Sequence, residues 1–113
     1  MIHEMKLNDA PFYAIKSGLK TVEMRLCDRK RQLINIGDEI EFTHRENGEK
    51  LLTRVVNLTK FPSFKELYEH FDKSSLGYDE KEKAHHTDMS QYYSQEDIDK
   101  YGTLAIEICV INV

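Results

Sequence analysis

Short segments in which apolar and polar residues alternate recur along most of the chain. Alternation at every second position is typical of a strand with one buried face. The Asn47–Gly48 dipeptide separates two of these segments and indicates a hairpin turn. The predicted strands cover residues 2–7, 20–26, 38–44, 51–60 and the β-branched tail 103–113.

Capping residues indicate a first helix directly after the first strand. Asn8 or Asp9 can accept hydrogen bonds from its free backbone amides, and Pro11 suits its first turn because proline has no amide hydrogen. Gly18 is placed to end the helix in a left-handed turn. The side chains predicted to share one face of this segment are Phe12, Ile15 and Leu19.

Two further helices are predicted in the second half of the chain. Ser63 and Glu66 form a capping-box pattern for a helix that runs to about Phe71. Ser94 opens a shorter helix that Gly102 can end. The side chains of the longer helix that we expect to face the core are Phe64, Leu67, Tyr68 and Phe71.

The order of these elements predicts an α+β fold. Several short strands with an interrupting helix suggest a small β-barrel with helices covering its openings. The length of 113 residues suits one compact domain over 1–113. Residues 72–90 are polar and irregular, and they form a long loop or contain one weak helical turn. Such a loop in a small domain is either mobile or functional.

Composition narrows the class of protein without naming a function. Hydrophobic residues make up 40% and charged residues 32%, which excludes a disordered, fibrous or disulfide-rich chain. The apolar runs are too short to span a bilayer, and residues 1–9 lack the apolar core of a signal peptide, so we expect a cytoplasmic protein without membrane contact. Cys27 and Cys109 are then expected to be packed thiols and not to form a disulfide. Neither common type of Gly-rich phosphate loop is present, and we predict no cofactor.

The charge distribution singles out one stretch. The formal net charge is −4, yet residues 16–31 hold six basic and two acidic side chains. A basic stretch on an acidic protein is typical of a local anion site, and its alternative is a solvated charged loop. Lys30 and Arg31 are predicted to form the electropositive border of such a site, while Arg29 is expected to be solvated.

The strand over 20–26 places polar groups on one side. Thr21, Glu23 and Arg25 alternate with apolar residues, and Lys20 precedes them at the start of the strand. An arginine held by a carboxylate offers a planar fork of donors to a phosphate or a base edge, and a lysine adds a point charge. Lys20, Glu23 and Arg25 are therefore candidate ligand-binding residues, with a plain ion pair on the barrel wall as the alternative.

The same residues carry a family resemblance. Gly18, Lys20, Glu23 and Arg25 match G-x-K-x-x-E-x-R, the signature of the ASCH (activating signal cointegrator homology) domain. The segments "FPSFKELYEHF" and "YYSQEDIDKYG" also resemble later parts of the small bacterial stand-alone members. The chain thus resembles this branch of the PUA-like superfamily over nearly its whole length.

The resemblance implies a PUA-like barrel with a cleft between the barrel and the first helix, where RNA or a nucleotide is bound. It also implies an alternative, because one branch resembles amidohydrolases of acylated cytidine nucleosides and ribonuclease activity is attributed to the family. In that branch a threonine follows the lysine by three residues, and here this position is Glu23.

Two functional hypotheses follow, with a weaker third. The first is a binding module for RNA or a nucleotide. The second is a small hydrolase of a modified nucleoside or of RNA, in which Glu23 would activate water and Lys20 or Arg25 would stabilise the oxyanion. The third is a regulator whose cleft serves a protein partner.

Two sets of residues outside this strand are further candidates for ligand contacts. Tyr93 can stack on a base, and the alternative is that its ring packs in the core or at its rim. The sequence His85–His86 with Asp88 is expected to lie in a surface loop, because adjacent histidines point apart in a strand and no other ligand pair has a suitable spacing. We therefore predict no metal site.

Overall fold

The computed structural model of the protein describes residues 1–111, so the last two residues of the predicted tail strand lie outside it. None of the helices within these residues is long and apolar enough to cross a membrane. Short 3₁₀ helices cover Arg31–Leu33 and His86–Gln91. The strands and α-helices are, in chain order, β1 (Ile2–Leu7), α1 (Asp9–Lys16), β2 (Val22–Leu26), β3 (Glu39–His44), β4 (Lys50–Phe61), α2 (Phe64–His70), α3 (Gln95–Tyr101) and β5 (Thr103–Val110).

The five strands form one curled sheet, a half-barrel in the order β1-β3-β4-β5-β2. Strands β1 and β3 are parallel, and the other neighbours are antiparallel. Side chains from β2 and from the turn after it contact the other edge strand, β1. The Arg25 guanidinium donates to the Lys6 carbonyl at 3.0 Å, and the Lys30 ammonium donates to the Glu4 carbonyl at 3.2 Å. The predicted α+β, barrel-like architecture with covering helices is confirmed.

Strand β2 is buried because it contributes to packing on both of its faces. Val22, Met24 and Leu26 belong to a hydrophobic cluster with α2, α3 and the segment between them. A second cluster packs α1 against the other strands through residues such as Phe12 and Phe42. Glu23 and Arg25 are paired with Ile106 and Leu104, which belong to the second cluster, so these polar side chains lie on the face of β2 that this cluster covers.

The segment between α2 and α3 is packed onto the beginning of β2. The Ser75 carbonyl accepts hydrogen bonds from the amides of Thr21 and Val22, each at 3.0 Å. Leu76 and Met89 are buried in the cluster that contains α2. The region predicted as a polar, irregular loop therefore includes two buried anchors and a 3₁₀ helix.

Three local expectations were wrong. Leu19 is 73% exposed, because α1 ends at Lys16 and the chain turns at Gly18 with a φ of +86°. Both cysteines are free as predicted and Cys27 is buried, which raises the pKa of its thiol, but Cys109 is exposed on β5. Thr21 precedes β2 and is exposed, so it does not share the buried side with Glu23.

Candidate functional site

Three charged side chains meet at the beginning of β2 and are almost completely buried. The Lys20 ammonium lies 3.0 Å from Oε1 of Glu23. The Arg25 guanidinium donates to Oε2 of Glu23 through Nε at 3.0 Å and through Nη2 at 2.8 Å. The side chains are 8%, 5% and 12% exposed, respectively. We call Lys20, Glu23 and Arg25 the charge triad.

Different parts of the backbone position the three members of the charge triad. Glu23 and Arg25 are two residues apart on β2 and therefore share a face. Lys20 would face the other way in a regular strand, but β2 begins only at Val22, and the amide of Lys20 donates to the Ala14 carbonyl at the end of α1. This irregular connection lets its side chain reach Glu23.

Gly77 allows the Lys20 side chain to lie beneath the segment between α2 and α3. Gly77 has a φ of +102°, and a Cβ added there would lie 3.1 Å from Cδ of Lys20. Glycine adopts such a conformation without strain, and its lack of a side chain leaves room for the lysine stem.

Electrostatics keeps Glu23 and Arg25 ionised. Burial acts to raise the pKa of Glu23, but the charges of Lys20 and Arg25 outweigh it and lower the pKa from 4.5 to about 2. Burial likewise opposes the charge of Arg25, but Glu23 and, to a smaller extent, the Tyr93 hydroxyl hold the pKa of the guanidinium above its ordinary value. The triad thus contains two cations and one carboxylate, and its surplus positive charge suits an anionic or electron-rich ligand.

The charge triad lies in a cleft of about 590 Å³ with two chemically different walls. One wall comes from the sheet, its adjoining turns and α1. Its charged side chains, which we call the basic wall, are the charge triad with Lys6, Arg31 and Arg45. The other wall comes from residues 68–93. Its aromatic side chains, which we call the tyrosine wall, are Tyr68, Tyr78, Tyr92 and Tyr93.

Hydrogen bonds and stacking order the tyrosine wall. The hydroxyls of Tyr68 and Tyr78 lie 2.8 Å apart, and Tyr78 donates to the Asp88 carboxylate at 2.8 Å. Burial raises the pKa of both hydroxyls, so both remain neutral hydrogen-bond donors. Tyr93 stacks on Phe64 with ring centroids 5.7 Å apart. Aromatic side chains fixed in this way are suitable for stacking on a nucleobase.

The structure brings five of the six residues predicted from the sequence to this cleft, namely Lys20, Glu23, Arg25, Arg31 and Tyr93. Lys30 is exposed outside the cleft lining, where its ammonium donates to the Glu4 carbonyl. Arg29 is exposed as expected and does not line the cleft.

Several cleft residues were missed because the sequence contains no local signal for them. Lys6 is one polar position in an ordinary strand pattern, and Arg45 precedes a hairpin turn. Tyr68 and Tyr78 belong to segments whose aromatic residues are typical of a core. Their shared location depends on contacts between distant parts of the chain.

The adjacent histidines His85 and His86 do not line the cleft. The rings of His85 and His86 stack with centroids 5.0 Å apart, and Nδ1 of His85 accepts a hydrogen bond from the Thr87 amide. Within residues 1–111, no group of three or more histidine, cysteine or acidic side chains could hold a metal ion.

The ASCH domain family model matches residues 5–112 of the chain. The chain belongs to the ASCH domain family. This family is a branch of the PUA-like superfamily, whose members are generally thought to bind RNA. The resemblance inferred from the signature at Gly18–Arg25 is therefore confirmed.

Solved structures agree with this family assignment. Hypothetical protein PH0355 is 35% identical, with a TM-score of 0.86 over 98% of this ASCH domain and 100% of that chain. Protein PF0455 from Pyrococcus furiosus is 31% identical, with a TM-score of 0.77 over 100% of both chains. An ASCH protein from Zymomonas mobilis shares the fold at 16% identity and a TM-score of 0.70, over 98% of this chain and 73% of its own. A comparison with curated proteins gave no significant match.

Proposed function

We propose that this ASCH domain binds RNA or a nucleotide in the cleft between the basic wall and the tyrosine wall. The observation that carries the proposal is the charge triad, a buried set of ions with surplus positive charge beside ordered aromatic side chains. A nucleotide combines the two chemical features that such a cleft accommodates, a negative charge and an aromatic base.

Each member of the charge triad has a distinct part in this proposal. Glu23 occupies Nε and Nη2 of Arg25 and thereby fixes the plane of the guanidinium. The fixed guanidinium can present its remaining donors to a base edge or a phosphate oxygen. The ammonium of Lys20 has three donors, so it can bind a ligand while it remains 3.0 Å from Glu23.

The geometry supports binding over hydrolysis. A general base works best when its pKa is near the working pH, and Glu23 has a pKa of about 2. Both of its oxygens already accept hydrogen bonds, Oε1 from the Met24 amide at 3.2 Å and Oε2 from Arg25. Activation of water by Glu23 would require breaking the contacts that keep it ionised.

Direct binding measurements test the proposal. The purified protein is titrated with nucleosides, nucleotides and short RNAs, and each mixture is then checked for chemical change. We expect at least one ligand class to be retained without turnover. Lys20→Met and Arg25→Gln should each weaken its binding at least about tenfold, since each removes a charged donor.

Lys65→Met is the matched control, because Lys65 is exposed on α2 and does not line the cleft. Thermal unfolding of every variant shows whether the fold is retained. Unchanged affinity in both Lys20→Met and Arg25→Gln would place the ligand elsewhere. Turnover in the wild type that disappears in Glu23→Gln would instead support the hydrolase.

A further inference from the structure

Three basic side chains from separate elements line the cleft, and two of them, those of Lys6 and Arg45, lie where β1 ends. Lys6 belongs to β1, Arg45 follows β3, and Arg31 begins the 3₁₀ helix after β2. The parallel pairing of β1 with β3 continues as the Arg45 amide donates to the Leu7 carbonyl at 3.0 Å. The bond from the Arg25 guanidinium to the Lys6 carbonyl links the β2 edge to the same end. All three basic side chains line the cleft.

These side chains have hydrogen-bonding capacity that the fold does not use. Lys6 and Arg45 are exposed, and neither takes part in an ion pair within residues 1–111. Arg31 binds Asp28 through Nη1 at 3.0 Å. Its Nε is buried and has no hydrogen-bond partner in the described part of the chain. A buried donor without an acceptor is unfavourable, so the fold leaves part of the hydrogen-bonding capacity of Arg31 unused.

The carboxylates that line the cleft are distributed differently from these basic side chains. Glu82 and Asp88 line it from the segment that also supplies the tyrosine wall, and Asp88 is bound by Tyr78. Glu23 is the carboxylate of the basic wall, and it is already neutralised by Lys20 and Arg25. A phosphate would be repelled by the acidic side of the cleft and attracted to the end of β1.

We infer that the ligand of this cleft carries a phosphate, which is bound by Lys6, Arg31 and Arg45. This inference rests on the proposed function and makes it more specific. The base stacks against the tyrosine wall beside the charge triad, and the phosphate lies at the end of β1. The protein therefore discriminates a nucleotide from the corresponding nucleoside, and the phosphate belongs either to a mononucleotide or to an RNA strand.

Matched ligand pairs test the inference by isothermal titration. Each of four nucleosides is compared with its 5′-monophosphate, and a short RNA with a 5′-hydroxyl is compared with the same RNA carrying a 5′-phosphate. We expect the phosphorylated mononucleotide to bind at least about tenfold more tightly than its nucleoside. Preference for the monophosphate over both RNAs identifies a mononucleotide ligand, and the reverse identifies an RNA strand.

The double variant Lys6→Gln/Arg45→Gln removes two exposed charges without disturbing a hydrogen bond of the fold. It should lose the preference for the phosphorylated ligand and keep the affinity for the nucleoside. Arg31→Gln should act in the same direction, although it also breaks the pair with Asp28. Arg29→Gln/Lys65→Gln is the control, because it makes the same change in net charge outside the cleft lining.

Equal affinity for a nucleoside and its monophosphate would overturn the inference and leave the proposed function intact. So would a preference for the monophosphate that Lys6→Gln/Arg45→Gln retains to the same degree as the control. If no nucleoside, nucleotide or RNA binds, the proposed function itself fails, and the phosphate subsite fails with it.

Discussion

The charge triad contrasts with the ion pairs on the β3–β4 hairpin. On the hairpin, Lys50 lies 3.5 Å from Glu41 and Arg54 lies 3.4 Å from Glu39, and both basic side chains are more than half exposed. These pairs are electrically neutral. The charge triad has similar distances between its charges but is buried and carries a surplus cation.

The difference shows that the distance between two charges does not reveal how much an ion pair contributes to stability. An exposed pair is screened by water and contributes about 0–1 kcal/mol to stability. A buried pair loses its hydration, and an apolar replacement of similar shape is often as stable. The charge triad is therefore poorly explained by stability alone, and its surplus charge is what a ligand site requires.

Removal of the central carboxylate should have the largest effect on stability. Glu23→Gln leaves Lys20 and Arg25 buried without a counter-charge, so we expect the free energy of unfolding to fall by about 3–5 kcal/mol. Urea unfolding at pH 7 measures this change. The same substitution on the hairpin, Glu41→Gln, is the control, and a comparable loss in both variants would contradict the contrast between the two regions.

Acid should lower the contribution of the charge triad to the stability of the fold within a defined pH range. The pKa of Glu23 is about 2 in the folded protein and has an ordinary value of 4.5. Because the folded-state pKa is lower, the carboxylate contributes stability above about pH 4.5, and this contribution is lost as the pH falls toward 2. The shift corresponds to roughly 3 kcal/mol.

Unfolding curves between pH 7 and pH 2 measure this loss. The pKa values of Asp38 and Glu49 are also lowered, by His3 and Lys16, respectively, so some acid sensitivity is expected at the surface as well. The slope of stability against pH should therefore be reduced, not abolished, in Glu23→Gln. An unchanged slope would mean that Glu23 is not held ionised by its neighbours.

A substitution at Gly77, which lies against the Lys20 side chain, should lower both stability and ligand affinity. Gly77→Ala places a Cβ 3.1 Å from Cδ of Lys20 at a φ of +102°, so we expect a loss of about 1–2 kcal/mol and a weaker ligand affinity. Gly48→Ala, at a φ of +74° with open space around it, is the matched control. It should lower stability and leave binding unchanged, and equal affinity in both variants would contradict the proposed role of Lys20.

The smallest effect is expected on the hairpin. Lys50→Gln removes an exposed partner of Glu41 and should change the free energy of unfolding by at most about 0.5 kcal/mol. Its effect should decrease further in high salt. Thermal and urea unfolding at two salt concentrations measure it, and a loss above 2 kcal/mol would show that the exposed pair resembles the buried one.

Much of the fold was predictable because its signals are local. Alternation located β1 to β4 to within two residues, and β5 begins at Thr103 as predicted and ends at Val110. Ser94 caps α3 by accepting a hydrogen bond from the Asp97 amide at 3.2 Å. The capping pair Ser63 and Glu66 also begins α2 where expected, although their side chains contact each other and Ser63 does not bind a backbone amide.

The features of the fold that were not predictable depend on where a helix ends and on which elements pack against each other. Leu19 matches the apolar face of α1 by spacing alone, but the helix ends three residues earlier. The segment over 72–90 is polar in composition, yet the few apolar residues it has, Leu76 and Met89, anchor it beside β2. The average composition of a segment does not show which single apolar residues are buried, so these anchors could not be predicted from it.

The sequence by itself determined the family, the strand β2 and the alternation that puts Glu23 and Arg25 on one side. Those features depend on residues close together in the chain. Only the tertiary structure decided that this side is buried, that Lys20 reaches it from outside the strand, and that Tyr78 and Arg45 line the same cleft. The position of Lys20 depends on where β2 begins, and the burial and the shared cleft depend on contacts between distant residues, whose pairing no local pattern records.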